Sequence, residues 1–341
     1  MGLSRRKFTK EFKIATLRQL NAGVSIAAVA RSCEIDPRLV HRWRQDLQQS
    51  PEQAFPGLGK KRSDENRIAE LERKIGQQAL EIDPLYARAW AMVAVSQARL
   101  HWIGKSEESG LPAAEKALAL DPSLAEAHAA RGRVLAANGR YEEALAANEE
   151  ALRLEPDSFD VRYIFGGTCF QLGRHEAAIE HYERAAQLLE TDFVSLRLAT
   201  MSYVALGRHE ESISASRRAM QRIEREVAAR PDDANALVSG VIALARLGEN
   251  ERARQWALRA QAIEPDDPMD HYNLGCALAQ MNEPGQALDQ LESCVPKMSP
   301  EFINWIKQDT DLAALHDHAR YRALIARGQA RLAALRKEQT A

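Results

Sequence analysis

The chain has 341 residues, 45% of them hydrophobic, with 46 Lys/Arg against 48 Asp/Glu, which leaves room for two domains and a substantial core. It holds no apolar run of 18 residues and opens on MGLSRRKFTK, so it offers neither a transmembrane helix nor the apolar stretch of a secretory signal. The near-neutral total conceals a split, because residues 1–76 carry 16 Lys/Arg and 9 Asp/Glu while the rest carries 30 and 39; a basic head on an acidic body points to two parts with different partners.

In chain order, RRKFTKEFKIATLRQLNAG predicts a first helix with Thr9 as N-cap, Gly23 as its stop, and Phe12, Ala15 and Leu20 on its apolar side. Ser25 opens a second helix with Ile26, Val29 and Ala30 inward. After a turn through Glu34 and Ile35, Asp36 caps a third helix and Pro37 takes its first position, where a missing N–H costs nothing. Val40 and Trp43, three apart, face the core, which turns Arg38, His41, Arg42 and Gln45 outward, with Arg44 alongside. This is a helix-turn-helix plan over residues 1–50. Its third helix would enter the major groove of double-stranded DNA, with Arg38 and Arg42 on guanine or phosphate. Arg5, Arg6, Lys7 and Lys10 would add salt-dependent backbone affinity. The alternative is a small helical core with a solvated basic face.

Residues 51–63, rich in Pro and Gly, form a linker. Over 64–84, Ile68, Leu71, Ile75, Gln78 and Ile82 recur at spacings of three and four. That is the a/d pattern of a short coiled coil, open to two readings: a homodimer seam over 68–82, or one amphipathic helix running into the next domain. The runs F12-K-I-A-T-L, V29-A-R, V40-H-R-W43 and G57-L-G-K-K-R-S-D-E-N-R-I-A-E-L-E-R-K-I-G-Q resemble the first-frame (OrfA) transposase protein of bacterial insertion sequences. That resemblance, over residues 5–83, implies a head that binds the element's terminal repeats in DNA transposition, followed by a dimerising zipper.

Beyond residue 84 the chain repeats. Gly139, Gly173 and Gly207 are 34 apart, as are Pro122 and Pro156, and Pro231 and Pro265. Each unit reads as a helix ended by Gly, then a second amphipathic helix closed by Pro with Asp or Ser. Small residues recur at Gly132, Ala144, Ala151, then Gly166, Ala178, Ala185, then Val241, Ala253, Ala260, and finally Gly275, Ala287, Cys294. The pattern resembles tetratricopeptide repeats (TPRs), six of them over 85–299, the first and fourth carrying extra residues. The resemblance implies an all-α solenoid that binds a protein or peptide in its concave groove. By family register Tyr163, Phe170, Arg197, Met201, Asn235, Arg246 and Tyr272 face that groove. The Lys/Asn carboxylate clamp of the chaperone-tail-binding members is absent. Residues 300–341 are expected to form capping helices; EFINWIKQDTDLAALHDHARYRALI resembles the tail that follows such repeats in bacterial multidomain regulators and implies a sensory or docking role. The string QALEIDP suits both the zipper end and a repeat helix, which suggests that an insertion-sequence frame was joined to a repeat-protein gene there.

The sequence holds no H-E-x-x-H, P-loop, G-x-S-x-G or G-x-G-x-x-G. His316 and His318 are two apart and diverge on a helix. Catalytic residues, metal and cofactor are therefore expected to be none. Cys33, Cys169, Cys276 and Cys294 lack paired spacing, which suits free thiols in a reducing cytoplasm. Two functional readings stand: a sequence-specific DNA-binding protein that recruits a partner through its repeats, or a repeat scaffold whose head is a relic.

Overall fold

The computed structural model describes residues 25–33, 35–49, 65–263 and 266–340, together with Lys13, Thr16, Leu17 and Leu20. Among these residues every regular element is helical and no strand occurs, the all-α architecture the periodicity implied.

In the head, Ser25 caps α1 (Ile26–Ser32), its Oγ accepting from the Ala28 N–H at 3.2 Å. Asp36 caps α2 (Pro37–Gln49), taking the Arg38 N–H on Oδ1 at 2.8 Å. Val29, Ala30, Cys33, Val40 and Trp43 close a small core with Leu17, and Leu20, Ile26, Ile35 and Leu39 pack around it. Ile263, from the repeat body, reaches the same cluster. After the linker, α3 (Glu65–Ile82) lies against α4 (Ala87–Trp102). The helices meet closely at Gly76, where an added Cβ would stand 2.7 Å from Val93 Cγ2. The side of α3 away from that contact leaves Leu71, Ile75 and Ile82 at 42%, 56% and 88% exposure.

Six helix pairs come next among the described residues: α4 with α5 (Leu111–Leu120), α6 (Ala125–Ala137) with α7 (Tyr141–Leu154), α8 (Phe159–Gln171) with α9 (His175–Leu188), α10 (Val194–Ala205) with α11 (His209–Ala229), α12 (Ala234–Arg246) with α13 (Asn250–Ile263), and α14 (Pro268–Gln280) with α15 (Pro284–Cys294). Gly139, Gly173, Gly207 and Gly248 turn the chain within four of these pairs at φ of 73°, 70°, 71° and 77°, the left-handed region only Gly enters cheaply. Asn282 takes that place in the sixth pair at φ 60°; its short side chain tolerates the conformation.

The small residues sit where helices touch. Ala144, Ala151, Ala178, Ala185, Ala253, Ala260 and Ala287 are all buried, and at Gly166 an added Cβ would lie 2.8 Å from the Tyr182 ring. The fifth pair departs from the expected register. Val241 packs in the core, yet the close approach is made one residue earlier, where Gly240 receives the Trp256 ring on its bare backbone. A ring that size needs a site without a Cβ, and Val241 does not provide one.

The tail does more than cap. A 3-10 turn (Val295–Lys297), α16 (Phe302–Gln308) and a second 3-10 turn (Thr310–Leu315) precede α17 (Ala319–Thr340). The Ser299 N–H donates to the Trp102 carbonyl at 3.3 Å. Trp102 meets Phe302 edge-on at 5.2 Å. The end of α4, in the first helix pair, is thus in contact with the tail segment that leaves α15, in the sixth.

Candidate functional site

Two surfaces carry the expected functional residues. On the head, burial of Val40 and Trp43 turns Arg38, His41, Arg42, Arg44 and Gln45 to solvent. Among the described residues no carboxylate pairs with Arg38, Arg42 or Arg44. Three guanidiniums on one short helix make a positive face of the kind that displaces counterions from a phosphate backbone. Arg5, Arg6 and Lys7 lie outside the described residues, as do Thr9, Lys10, Phe12, Ala15, Gly23 and the linker.

The repeat body encloses the second surface. The first helix of every pair (α4, α6, α8, α10, α12 and α14) contributes to one cavity of about 190 Å³, because inclined pairs stacked side by side place their first helices along one concave wall. The opposite wall is the chain's own tail, with Phe302, Trp305, Asp309 and Asp311 lining the space. Trp305 packs on Phe170 at 4.8 Å between ring centroids, and Thr310 Oγ1 donates to the Met201 carbonyl at 3.2 Å. Arg246 forms an ion pair with Asp311. Tyr272 donates its hydroxyl to Asp309 Oδ2 at 2.5 Å.

Of the seven groove residues expected from sequence, Tyr163, Arg197, Met201, Asn235 and Tyr272 line the cavity. Phe170 is buried under the tail and Arg246 is held by it. Sequence reasoning missed the tail as an occupant of the groove. The signal was there: Phe302, Ile303 and Ile306 fall at helical spacing and are buried, whereas a terminal cap should turn polar.

Desolvation shapes the chemistry here. Burial, then the Asp311 charge, push the Asp309 carboxyl up to about 7. Burial, then Asp309, raise the Tyr272 phenol well above the ordinary tyrosine range. Burial also pushes the Cys169 and Cys294 thiols up to about 12, which leaves them protonated and unreactive at neutral pH. His181 stacks on Phe165 at 4.2 Å, and burial drops its imidazole to about 4, so it is neutral in the folded chain. The Tyr182 hydroxyl, the Arg197 Nε and the Gln171 Oε1 are buried with no hydrogen-bond partner among the described residues, each worth roughly 1–3 kcal/mol if left unmet. No group of His, Cys, Asp and Glu suited to a metal ion occurs among the described residues, and no described helix is long and apolar enough to cross a membrane.

Known proteins divide the chain in the same way. Residues 4–76 match a helix-turn-helix family described as transposase. Residues 113–146, 130–192 and 198–268 match families described as tetratricopeptide repeat. The chain therefore joins a transposase-type helix-turn-helix segment to tetratricopeptide repeats. Among solved structures, the human IFIT1 dimer with PPP-AAAA is similar at a TM-score of 0.52 and 18% identity, over 79% of this chain and 69% of that one. YrrB, a TPR protein with an unusual peptide-binding site, is similar at 0.35 and 24%, over 57% of this chain and 95% of that one. PilW, a type IV pilus biogenesis factor, is similar at 0.41 and 17%, over 58% and 94%. The likeness to the IFIT1 structure speaks for the fold alone. No curated protein sequence matches the chain.

Proposed function

We infer that the chain is a non-catalytic, cytoplasmic, sequence-specific DNA-binding protein of the transposase OrfA type, with a TPR scaffold that engages a protein or peptide. The observation that carries the reading is the exposed face of α2, where Arg38, Arg42 and Arg44 have no acidic partner among the described residues and His41 lies beside them, on a segment that matches the transposase family. Arg5, Arg6 and Lys7 add backbone affinity in this reading, and the link to DNA transposition rests on the same match. A homodimer through residues 68–82 would present two heads to one site. The exposed Leu71, Ile75 and Ile82 support it, because an apolar stripe at three-four spacing is costly in water and is covered by a second helix of the same kind. A peptide partner would meet Tyr163, Arg197 and Asn235 from the open side of the cavity, since Phe170, Met201, Arg246 and Tyr272 already hold the tail.

The test is a mobility-shift titration of the full chain on duplex DNA across a range of salt. Affinity should fall steeply as salt rises, with a slope near −0.9 for each phosphate contacted. Binding that is absent at low salt, or equally tight at high salt, would instead favour a repeat scaffold with a relic head.

A further inference from the structure

A segment that only capped the solenoid would touch the last pair alone. Residues 302–315 reach inward instead, to the first helices of four successive pairs. Trp305 packs on Phe170 of α8 at 4.8 Å between ring centroids. The Thr310 hydroxyl donates to the Met201 carbonyl of α10 at 3.2 Å. Asp311 pairs with Arg246 of α12. Asp309 accepts from the Tyr272 hydroxyl of α14 at 2.5 Å and from the Cys276 thiol, one turn on, at 3.4 Å. Phe170, Met201, Arg246 and Tyr272 are groove residues by the repeat register. The tail therefore sits where a ligand of the repeats would sit.

Its chemistry is that of a recognised segment. Phe302, Ile303 and Ile306 are apolar and buried, as any packed segment requires. Asp309 and Asp311 are 3% and 5% exposed, and the one cation paired with them among the described residues is Arg246, on Asp311. Burying carboxylates is costly, and apolar residues of similar volume hold a purely structural segment as well or better. Acids at these two places instead match the donors the groove wall presents, a phenol with a thiol at one and a guanidinium at the other. On the outer side of the segment Lys307 and Gln308 are exposed and Trp305 is half-buried.

We propose that the tail is an autoinhibitory stand-in for the partner. Residues 302–315 fill the groove until a partner segment of the same chemistry, an aromatic-bearing helical turn followed by Asp-x-Asp, displaces them as a unit. The proposal rests on the reading that the repeats engage a peptide, and it adds which peptide and what holds it off. While the tail is seated, the partner's affinity is reduced by the fraction of molecules whose groove is open, so any change that loosens the tail raises it.

The experiment is fluorescence anisotropy of a labelled synthetic peptide with the sequence of residues 300–315, titrated with the full chain. Binding to the native chain should be weak. Trp305→Ala and Asp311→Asn, each made in the tail and leaving the groove wall intact, should tighten it about tenfold or more. A peptide with Asn at both Asp positions should bind those variants about tenfold more weakly than the parent peptide. Thermal melts establish folding, and either variant suffices if the other does not fold. Hydrogen exchange on the native chain needs no variant: the amides of 302–315 should exchange through an opening smaller than global unfolding. The proposal is overturned if they exchange only with global unfolding, if a folded variant gains no affinity, or if the Asn peptide binds as tightly. A native dimer that Trp305→Ala breaks also overturns it, because the occupant is then a second copy. Equally tight binding to the native chain and both variants sinks the stand-in but leaves the peptide-binding reading in place, with the peptide seated beside the tail.

Discussion

The head and the repeat body are both helical, yet they treat charge in opposite ways. On the body, cations meet acids: Arg140 with Glu143 at 2.7 Å, Arg184 with Asp157 at 2.6 Å, Arg218 with Glu183 at 2.5 Å, and Arg320 with Glu292 at 2.8 Å. Each such surface pair is worth about 0–1 kcal/mol, so the pairs contribute little to stability, and the body keeps its net acidic balance. On α2 of the head, Arg38, Arg42 and Arg44 have no acidic partner among the described residues. The chain thus pairs its cations with acids in one region and leaves them exposed in another.

The two regions also build their cores differently. The head closes around Trp43 with a few residues from its own helices and Ile263 of the body at the edge. The body buries alanines and glycines between pairs and then gains a long-range lock, in which the tail after the sixth pair meets the first, third, fourth, fifth and sixth. A solenoid without such a lock adds its stability one neighbour at a time; this one should lose the lock as a unit.

The largest expected effect tests that difference. Phe302→Ala removes a ring that is 1% exposed and touches Trp102 and Tyr272, and should cost about 3–5 kcal/mol in denaturant melts. DNA binding by the head should survive. If the head's affinity falls in step, the two regions are one unit and the comparison fails. Next in size, Arg38→Ala with Arg42→Ala should weaken duplex binding by about 1–3 kcal/mol per residue and reduce the salt slope by about two. Stability should stay within about 0.5 kcal/mol of the parent, because both side chains are exposed.

A smaller effect comes from Asp309. Its folded-state affinity for a proton is raised, so its contribution to stability is complete at low pH and is lost as pH rises through about 7. The tail lock should weaken by on the order of 1–2 kcal/mol between pH 5 and pH 7. Hydrogen exchange across α16 would report it, and Asp309→Asn should flatten the profile. An unchanged profile in that variant would assign the pH response elsewhere. The smallest effect on folding is at the α3 stripe. Ile75→Glu should change stability by less than about 0.5 kcal/mol while shifting the sedimentation of any dimer to that of a monomer; a parent that sediments as a monomer rules the seam out.

Much of the fold was legible in order along the chain. Ser25, Asp36 and Pro37 announce their helices because caps are local chemistry. Gly139, Gly173 and Gly207 announce the hairpins because a left-handed residue is a local demand. Asn282 hid one such turn by meeting the same demand with another residue, and Gly240 hid the fifth contact by sitting one place from the repeat's register.

By itself, then, the sequence determined helix type, repeat period and the segregation of charge, since each depends on residues within a turn or two of one another. Only the tertiary structure decided that Trp305, Asp309 and Asp311 lie against helices from much earlier in the chain, and that Tyr182 and Arg197 share one chamber wall with them. Those contacts depend on how far the solenoid curves. That curvature is the accumulated result of small rotations at every interface between pairs, and no single interface in the chain specifies it.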